Sequence, residues 1–319
     1  MIKTFLPTQD ASVYAQYPTR NTGIDEILEF GKDETGTYPI RSIIAFDFAT
    51  ARTLITSGAV FVLRLQTALA SRLVQNQIVS VGAYTGTWTE GTGYFYQDLY
   101  QVPNGVVWTD ISGTFGSSVA VTGSNPWTDL HIDVSTLVAN SSLTGLVIQF
   151  PSASEADGTN TGNVRVFSKD THTIYAPTLE ARWTDQTYDV GTFDTTDGKH
   201  VHVFPHSLQT VYGMHETAHV DLTVRERYPL KTFTNALNPY SNALYVPSAS
   251  FFSIVDDATN YPVIPFSPYS TINQTPSGSY FQFKVDNMYP RRYYRVVVKL
   301  VSDAGEEKVF DNNFIFTVK

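Results

Sequence analysis

With 319 residues, the chain is long enough for two or three domains that bury sizeable cores. Its net charge of −9 disfavours broad electrostatic attraction to nucleic acid or to anionic membranes, and the absence of cysteine excludes disulfides. Only 16% of the residues are charged, while Tyr, Phe, Thr and Val are abundant and 20 Gly and 16 Pro punctuate them. This composition predicts an all-β protein.

The start of the chain has no hydrophobic segment of the kind that a signal peptide needs. No apolar run reaches membrane-spanning length. We therefore expect synthesis in a cytoplasm without a signal peptide, and no membrane partner.

The first half of the chain contains many short predicted strands. The clearest is 39–48, where alternation places Ile44, Phe46 and Phe48 on one face, and a second alternating run follows at 59–65. Further strands are predicted near 27–31, 78–84, 143–150 and 176–183, with a single helical turn over 135–139. Short strands separated by turns are typical of a β-sandwich or jelly roll.

Several short motifs of the first half occur in a recognisable order. They are Asp10-Ala11-Ser12-Val13, Asn21-Thr22-Gly23, the strand from Arg41 to Asp47, Trp88-Thr89-Glu90, Gly145-Leu146, Phe167-Ser168 and Pro177-Thr178-Leu179. This order resembles the DNRLRE domain, a jelly roll close to a carbohydrate-binding-module family, and the resemblance implies a jelly-roll domain over 1–184. The chain departs from the pattern in a long insert at 97–125, which carries Trp108.

The C-terminal part has a second β pattern, whose clearest strand is predicted at 293–300. The preceding segment, Met288 to Tyr294 with Pro290 between them, is similar to the tyrosine corner of fibronectin type III domains. This similarity implies an immunoglobulin-like sandwich over 215–319, with the Tyr294 hydroxyl bonded to nearby backbone. Residues 185–214 are then expected to be a linker.

A histidine motif, His215-Glu216-Thr217-Ala218-His219, matches the HExxH pattern of zinc metalloproteases. On a helix it would place two imidazoles one turn apart, with Glu216 as the general base. Gly213 precedes the motif and a strand-like run begins at Val220, so we expect a loop that enters a strand and keep the zinc site as the alternative.

Two aspartates suggest a calcium ion instead. Asp10 begins the predicted jelly roll, and the resemblance to carbohydrate-binding folds implies a structural calcium there. Asp157 lies in a polar loop, 152–163, that is rich in oxygen ligands but lacks EF-hand spacing, so a solvated turn is the alternative reading.

Exposed aromatic residues give the remaining candidates for a binding site. Trp108, Tyr94 and Tyr96 are candidates for a platform on which sugars stack, with core packing as the alternative. The segment 228–276 combines proline with many aromatic residues, and Tyr240, Tyr245 and Phe266 are predicted to dock on a partner protein.

The function prediction follows from the absence of a recognisable catalytic constellation. The sequence has no nucleophile elbow, Walker loop or Rossmann fingerprint, so we expect no enzyme and no cofactor other than calcium. The whole arrangement resembles virion proteins of tailed bacteriophages, which carry jelly-roll and immunoglobulin-like domains. We expect a structural protein of a virus particle, an oligomeric component that docks on other virion proteins at the head, collar, tail or baseplate. The alternatives are a glycan-binding adhesin and, third, a zinc metalloprotease.

Overall fold

The computed structural model describes every residue except 74–75, 97–103, 114, 124–127, 160, 191–199, 229–243, 287 and 303. The protein is all-β, with 45% of its residues in strands and 8% in helices, as the composition predicted. The chain divides into two compact units. The N-terminal unit is Thr4–Ala181, and the C-terminal unit is Arg182–Lys319 together with Met1–Lys3. No helix in the described part of the chain has the length and apolar character that a membrane span requires.

The first twelve strands form two sheets. They are β1 (Ile2–Phe5), β2 (Gln9–Tyr14), β3 (Ile27–Lys32), β4 (Pro39–Ala45), β5 (Val60–Leu65), β6 (Thr67–Ser71), β7 (Ile78–Tyr84), β8 (Ser118–Thr122), β9 (Leu130–Asp133), β10 (Gly145–Gln149), β11 (Asn163–Phe167) and β12 (Thr178–Arg182). One sheet has the order β1-β12-β5-β9. The other has the order β6-β11-β3-β4-β10-β7-β8, with β2 also paired to β4.

Four short helices connect these strands: α1 (Phe48–Thr53), α2 (Trp108–Ile111), α3 (Ser135–Val138) and α4 (Ser152–Ala156). The prediction of one strand through Phe48 is wrong at its end, because Asp47 accepts a hydrogen bond from the Thr50 backbone N–H and begins α1. A single 3₁₀ turn, Leu54–Ser57, follows α1. The helical turn predicted near 135–139 is present as α3.

Strand β4 is buried on both of its faces. Ile43 and Ile44 are both fully buried, although they point to opposite sides of the sheet. Ile43 packs with Val13, Val147 and Ile111 in a small apolar cluster. Part of the segment 97–125 thus covers the Ile43 face of the sheet.

The C-terminal unit contains two further sheets. Its strands are β13 (Val201–Pro205), β14 (Val211–Tyr212), β15 (Thr217–Glu226), β16 (Phe251–Asp256), β17 (Pro262–Ile264), β18 (Asn273–Thr275), β19 (Gly278–Lys284), β20 (Tyr293–Val301) and β21 (Glu307–Val318). The sheet orders are β13-β15-β19-β18 and β14-β21-β20-β16-β17. Because β13 pairs with β15 along its whole length, the segment predicted to be a linker supplies part of this unit.

Aromatic rings dominate the core of the C-terminal unit. Phe252 of β16 stacks on Phe281 of β19 with 4.5 Å between ring centroids, so side chains from both sheets meet in one apolar cluster. Tyr294 is 1% exposed, and its hydroxyl donates a hydrogen bond to the Tyr289 carbonyl at 3.1 Å. The predicted tyrosine-corner hydrogen bond is therefore confirmed.

Candidate functional site

A buried asparagine connects the loops at one end of the N-terminal unit. Asn21 is 3% exposed, and its side-chain amide donates to the Glu90 carbonyl at 2.7 Å and to the Val106 carbonyl at 2.9 Å. Its side-chain oxygen accepts the Gly93 backbone N–H at 2.9 Å. Gly91 has a φ of 81°, and a Cβ there would lie 2.4 Å from that same oxygen, so only glycine fits. Asn21 therefore fixes the path of the loop that contains residues 90–96.

That loop carries a group of aromatic side chains at the surface. We use the name aromatic patch for Tyr17, Arg20, Tyr94, Phe95 and Tyr96. The Phe95 ring centroid lies 5.9 Å from that of Tyr17 and 5.0 Å from that of Tyr96, both edge-on. The Arg20 guanidinium carbon lies 4.0 Å from the Tyr17 ring centroid and 4.8 Å from that of Phe95. Such geometry favours cation–π attraction in addition to apolar contact.

The outer part of the aromatic patch is open to solvent. Tyr96 is 95% exposed and Tyr94 is 50% exposed, while Phe95 between them is half-buried. Phe95 also packs against Tyr14, at 4.7 Å between centroids, which anchors it to β2. The patch therefore presents two exposed phenol rings on an anchored base.

Asp25 is bonded to the backbone of Phe95, a residue of the aromatic patch. Its carboxylate accepts the Phe95 backbone N–H at 3.1 Å, and the Ser168 hydroxyl donates to its backbone carbonyl at 2.6 Å. Burial raises the pKa of Asp25 to about 6, an effect that the hydrogen bond from Phe95 partly offsets. The available groups of this region are phenols, a guanidinium and a carboxyl, which suit stacking and hydrogen bonding to a ligand.

A second group of interest is an acidic cluster, Asp10, Glu90 and Asp170, together with Lys169. One carboxylate oxygen of each acid lies within 4.8 Å of those of the other two. The Lys169 ammonium is 3.2 Å from Glu90 and 3.0 Å from Asp170. Asp10 is 1% exposed, and burial raises its pKa to about 7, against the lowering effect of the Lys169 backbone N–H.

The glycan-platform residues predicted from the sequence are only partly brought together. Tyr94 and Tyr96 are both in the aromatic patch, whereas Trp108 packs against the Ile43 cluster under the Arg41 guanidinium, 5.1 Å from its ring centroid. Arg41 also forms a buried ion pair with Glu155 at 2.7 Å. Trp108 is therefore a packing residue, which was the stated alternative to its glycan role.

The HExxH segment does not form a helix. His215 lies in a turn with a φ of 72°, and β15 begins at Thr217. The His215 imidazole contacts Asp286 at 3.1 Å, Glu216 accepts the Gly213 backbone N–H, and His219 stacks on Tyr280 with 4.8 Å between ring centroids. Because the side chains serve these local contacts, the motif has the loop-to-strand form that we expected.

The three residues predicted to dock on a partner have different surroundings. Tyr240 lies outside the described residues. Tyr245 is 3% exposed, and its hydroxyl donates to the Pro276 carbonyl at 3.0 Å, so the prediction that its ring is a docking surface is wrong. The hydroxyl of a tyrosine often finds a backbone partner when its ring is buried. Phe266 is half-buried, with the Lys299 ammonium 5.3 Å from its ring centroid.

The two predicted calcium residues do not share a site. Asp157 is exposed and accepts hydrogen bonds from the Thr159 backbone and hydroxyl at 2.9 Å and 2.8 Å, which is the solvated turn given as the alternative. These bonds lower the pKa of the Asp157 carboxyl. Among the described residues, the group of three possible metal ligands is Asp10, Glu90 and Asp170.

Sequence reasoning missed Tyr17, Arg20 and Phe95 in the patch and Glu90 and Asp170 in the cluster. Glu90 belongs to the Trp88-Thr89-Glu90 motif, and Asp170 lies two positions after Ser168 of the Phe167-Ser168 motif. The available signal was that each of the three acids lies in one of the ordered motifs or within two positions of it. Their proximity depends on tertiary structure, because they are far apart in the chain.

Comparisons with known proteins give no family for this chain. No family model matches it, and no curated protein matches it. Among solved structures, a DUF4785 family protein from Legionella pneumophila is similar at 8% identity with a TM-score of 0.22. The match covers 99% of this chain, which spans 61% of the length of that structure.

Two binding domains are also similar at this level. One is described as a receptor binding domain, at 7% identity and a TM-score of 0.22, covering 97% of this chain and 67% of that one. The other is the binding domain of botulinum neurotoxin DC in complex with SialylT, at 7% identity and a TM-score of 0.20, covering 97% and 68%. At these identities and TM-scores, the similarities identify neither a fold nor a function for this chain.

Proposed function

We propose that this chain is a non-enzymatic structural protein that docks on another protein of a larger assembly through the aromatic patch. The observation that supports the proposal is the 95% exposure of Tyr96 and the 50% exposure of Tyr94 on a loop fixed by the buried Asn21. Large exposed aromatic side chains on a preorganised loop bind with little loss of conformational entropy.

The chemistry of the patch favours a protein as its partner. Tyrosine and arginine are the side chains that interfaces concentrate at their energetic centres. Arg20, stacked on Tyr17 and Phe95, offers a guanidinium to a carboxylate of a partner. The proposed partner surface is therefore one with an apolar groove for Tyr96 and an acidic group beside it.

The proposed setting is the particle of a tailed bacteriophage, in which this chain is one of the virion proteins. We also propose that the N-terminal unit is a jelly roll and that the C-terminal unit is an immunoglobulin-like sandwich. This assignment is supported by the order of sequence motifs in the first unit and by the Tyr294–Tyr289 hydrogen bond in the second.

Mass spectrometry of purified phage particles tests whether this chain is a virion protein. Co-sedimentation of the chain with those particles tests whether it docks through the aromatic patch. Tyr96→Ala should weaken incorporation by about 1–3 kcal/mol, the range expected for an interfacial hot spot. Tyr38→Ala is the matched control, because Tyr38 is 40% exposed in the same unit and is not part of the patch. Equal co-sedimentation of Tyr96→Ala and wild type would reject the aromatic patch as the docking surface.

A glycan is the second candidate ligand for the same patch. The observation in its favour is the free face of the Tyr96 ring, with the Arg20 guanidinium and the Asp25 carboxyl near Phe95, because sugars combine stacking on aromatic rings with hydrogen bonds to charged groups. Glycan-array binding that is lost in Tyr96→Ala, together with unchanged co-sedimentation, would favour this reading over protein docking.

A further inference from the structure

Strand β8 lies at one end of the larger sheet of the N-terminal unit, where β7 is its neighbour. The Gly123 N–H donates to the Gln77 carbonyl at 2.9 Å, which fixes the phase of this pairing. Because hydrogen-bonded positions alternate along an antiparallel pair, Val119 and Val121 also direct their backbone groups toward β7. The backbone N–H and C=O groups on the free side, which have no partner among the residues that the structure describes, are those of Ser118, Ala120 and Thr122.

This edge lacks the devices with which proteins usually protect a free strand. Strand β6, at the opposite end of the same sheet, shifts its register against β11 at Arg165, and the Asp129 carboxylate accepts the Thr67 N–H at 2.9 Å. Strand β17 of the C-terminal unit has three residues and begins with Pro262. Strand β8 contains neither charge nor proline, and it pairs with β7 in one continuous register. Its free side is therefore open to pairing with another strand.

The apolar layer of the sheet is also incomplete at β8. Its two valines, Val119 and Val121, are half-buried. Their cross-strand partners on β7 are fully buried, Val81 and Val79. Since cross-strand partners share one face of a sheet, the valines of β8 continue the core face to the edge. A further strand beside β8 would remove them from water, which is favourable.

We propose that β8 pairs antiparallel with β8 of a second copy of this chain, about a two-fold axis at Ala120. The strand reads Ser-Val-Ala-Val-Thr, which is nearly the same in both directions. In the proposed register Ala120 lies opposite its own equivalent, Val119 lies opposite Val121 of the second copy, and Ser118 lies opposite Thr122 of the second copy. Every outward N–H and C=O group of the strand then gains a partner.

This symmetry favours a second copy over a strand of another protein. A two-fold interface brings the same surface of both copies together, so that surface must be complementary to itself. Here valines meet valines on the core face, the hydroxyls of Ser118 and Thr122 can bond across the pair, and no like charges meet. At the axis Ala120 is small and exposed, so two copies approach without a clash. The inference concerns a different surface from the aromatic patch and does not depend on the proposed docking function.

Sedimentation velocity of the full chain, over a wide range of protein concentration, tests the association. Wild type should form a dimer whose share grows with concentration. Ala120→Lys places two ammonium groups opposite each other at the axis and should raise the dimer Kd by at least about tenfold. Ala68→Lys is the matched control, because it adds the same charge to an exposed alanine of β6 and should dimerise as wild type does. An equal mixture of Ala120→Lys and Ala120→Glu should recover the dimer, since opposite charges then face each other.

Disulfide formation tests the register independently. The chain has no cysteine, so Ala120→Cys introduces a single thiol. The Cα atoms of a hydrogen-bonded antiparallel pair are about 5.5 Å apart, within the range of about 4.4–6.8 Å that a disulfide spans. Mild oxidation should therefore convert Ala120→Cys to a covalent dimer on non-reducing electrophoresis, whereas Ala68→Cys should remain a single chain.

Two results would overturn the proposal: wild type that stays monomeric at every concentration, or Ala120→Lys that dimerises as wild type does while circular dichroism shows it folded. If wild type is monomeric and Ala120→Lys loses co-sedimentation with phage particles, the edge accepts a strand of another protein, and the second copy is rejected. The docking proposal is tested separately by Tyr96→Ala, so failure of one proposal is distinguishable from failure of the other.

Discussion

Two aspartates of this protein are equally buried, yet their surroundings are opposite. Asp10 in the N-terminal unit and Asp256 in the C-terminal unit are each 1% exposed. Asp256 accepts hydrogen bonds from Arg292 Nε at 2.6 Å and Nη2 at 2.8 Å, and two more from Thr259. Asp10 accepts one from the Lys169 backbone, and its Oδ1 atom has no partner among the residues that the structure describes.

The pKa values of the two carboxyl groups follow from this difference. The hydrogen bonds from Arg292 lower the pKa of Asp256 to about 2, against burial, whereas burial raises the pKa of Asp10 to about 7. Low solvent exposure alone therefore does not decide the charge of a carboxyl group, because its hydrogen-bond and ion-pair partners also shift its pKa. A complete set of partners stabilises the ionised carboxylate, whereas an incomplete set leaves burial to favour the protonated form.

The largest effect is expected when Asp256 is made to resemble Asp10. Arg292→Met should lower the free energy of unfolding of the C-terminal unit by about 2–3 kcal/mol, because it leaves a buried carboxylate without its ion pair. Chemical denaturation measures this. Lys299→Met is the control, since its partner Glu307 is 58% exposed and a surface pair contributes about 0–1 kcal/mol. Equal losses in both variants would show that burial of the pair is irrelevant.

The second prediction concerns Asn21 of the N-terminal unit, a buried side chain whose amide nitrogen and oxygen both have hydrogen-bond partners. Asn21→Ala removes hydrogen bonds to the Glu90 and Val106 carbonyls and from the Gly93 N–H. We expect a loss of about 2 kcal/mol in the stability of this unit and faster amide exchange at Gly93 and Phe95. Hydrogen-exchange mass spectrometry tests the second part. Unchanged protection of that loop would mean that Asn21 does not fix it.

The third prediction concerns Asp256 and the pH dependence of the stability of the C-terminal unit. Because the folded pKa of Asp256 is about 2 and its ordinary value is 3.8, its stabilisation is fully present above pH 4 and is lost as the pH falls through 2. A pKa lowered from 3.8 to about 2 corresponds to about 2 kcal/mol of stability. Asp256→Asn should therefore flatten the acid loss of stability of the C-terminal unit between pH 4 and 2, as followed by denaturation at each pH. A variant that keeps the full acid loss would assign it to other carboxylates.

The smallest effect is expected at the tyrosine corner, because its hydrogen bond joins two uncharged groups. Tyr294→Phe should destabilise the C-terminal unit by about 1 kcal/mol, because the Tyr289 carbonyl loses its hydrogen bond while the ring stays packed. Tyr293→Phe is a matched control, since the adjacent Tyr293 is 63% exposed. If both variants unfold at the same denaturant concentration as wild type, the corner hydrogen bond contributes nothing.

The sequence by itself determined the class of fold and one detailed contact. Alternation of apolar residues predicted the strands because a strand with one face against a core must alternate, and this is a local property. The tyrosine-corner hydrogen bond was predicted from the similarity of the segment Met288 to Tyr294 to fibronectin type III domains, and it joins residues that are only five positions apart.

Tertiary structure alone decided which residues are buried and which meet. Tyr245 lies in a segment rich in proline and aromatic residues, which predicted a docking role, but its side chain is buried in the fold. Asp10, Glu90 and Asp170 are separated by about eighty residues at each step. They lie together in the fold, where Glu90 accepts the Asp10 backbone N–H and Asp10 accepts the Lys169 backbone N–H. Contacts at such separations depend on the arrangement of whole sheets, which local patterns of apolar and polar residues do not encode.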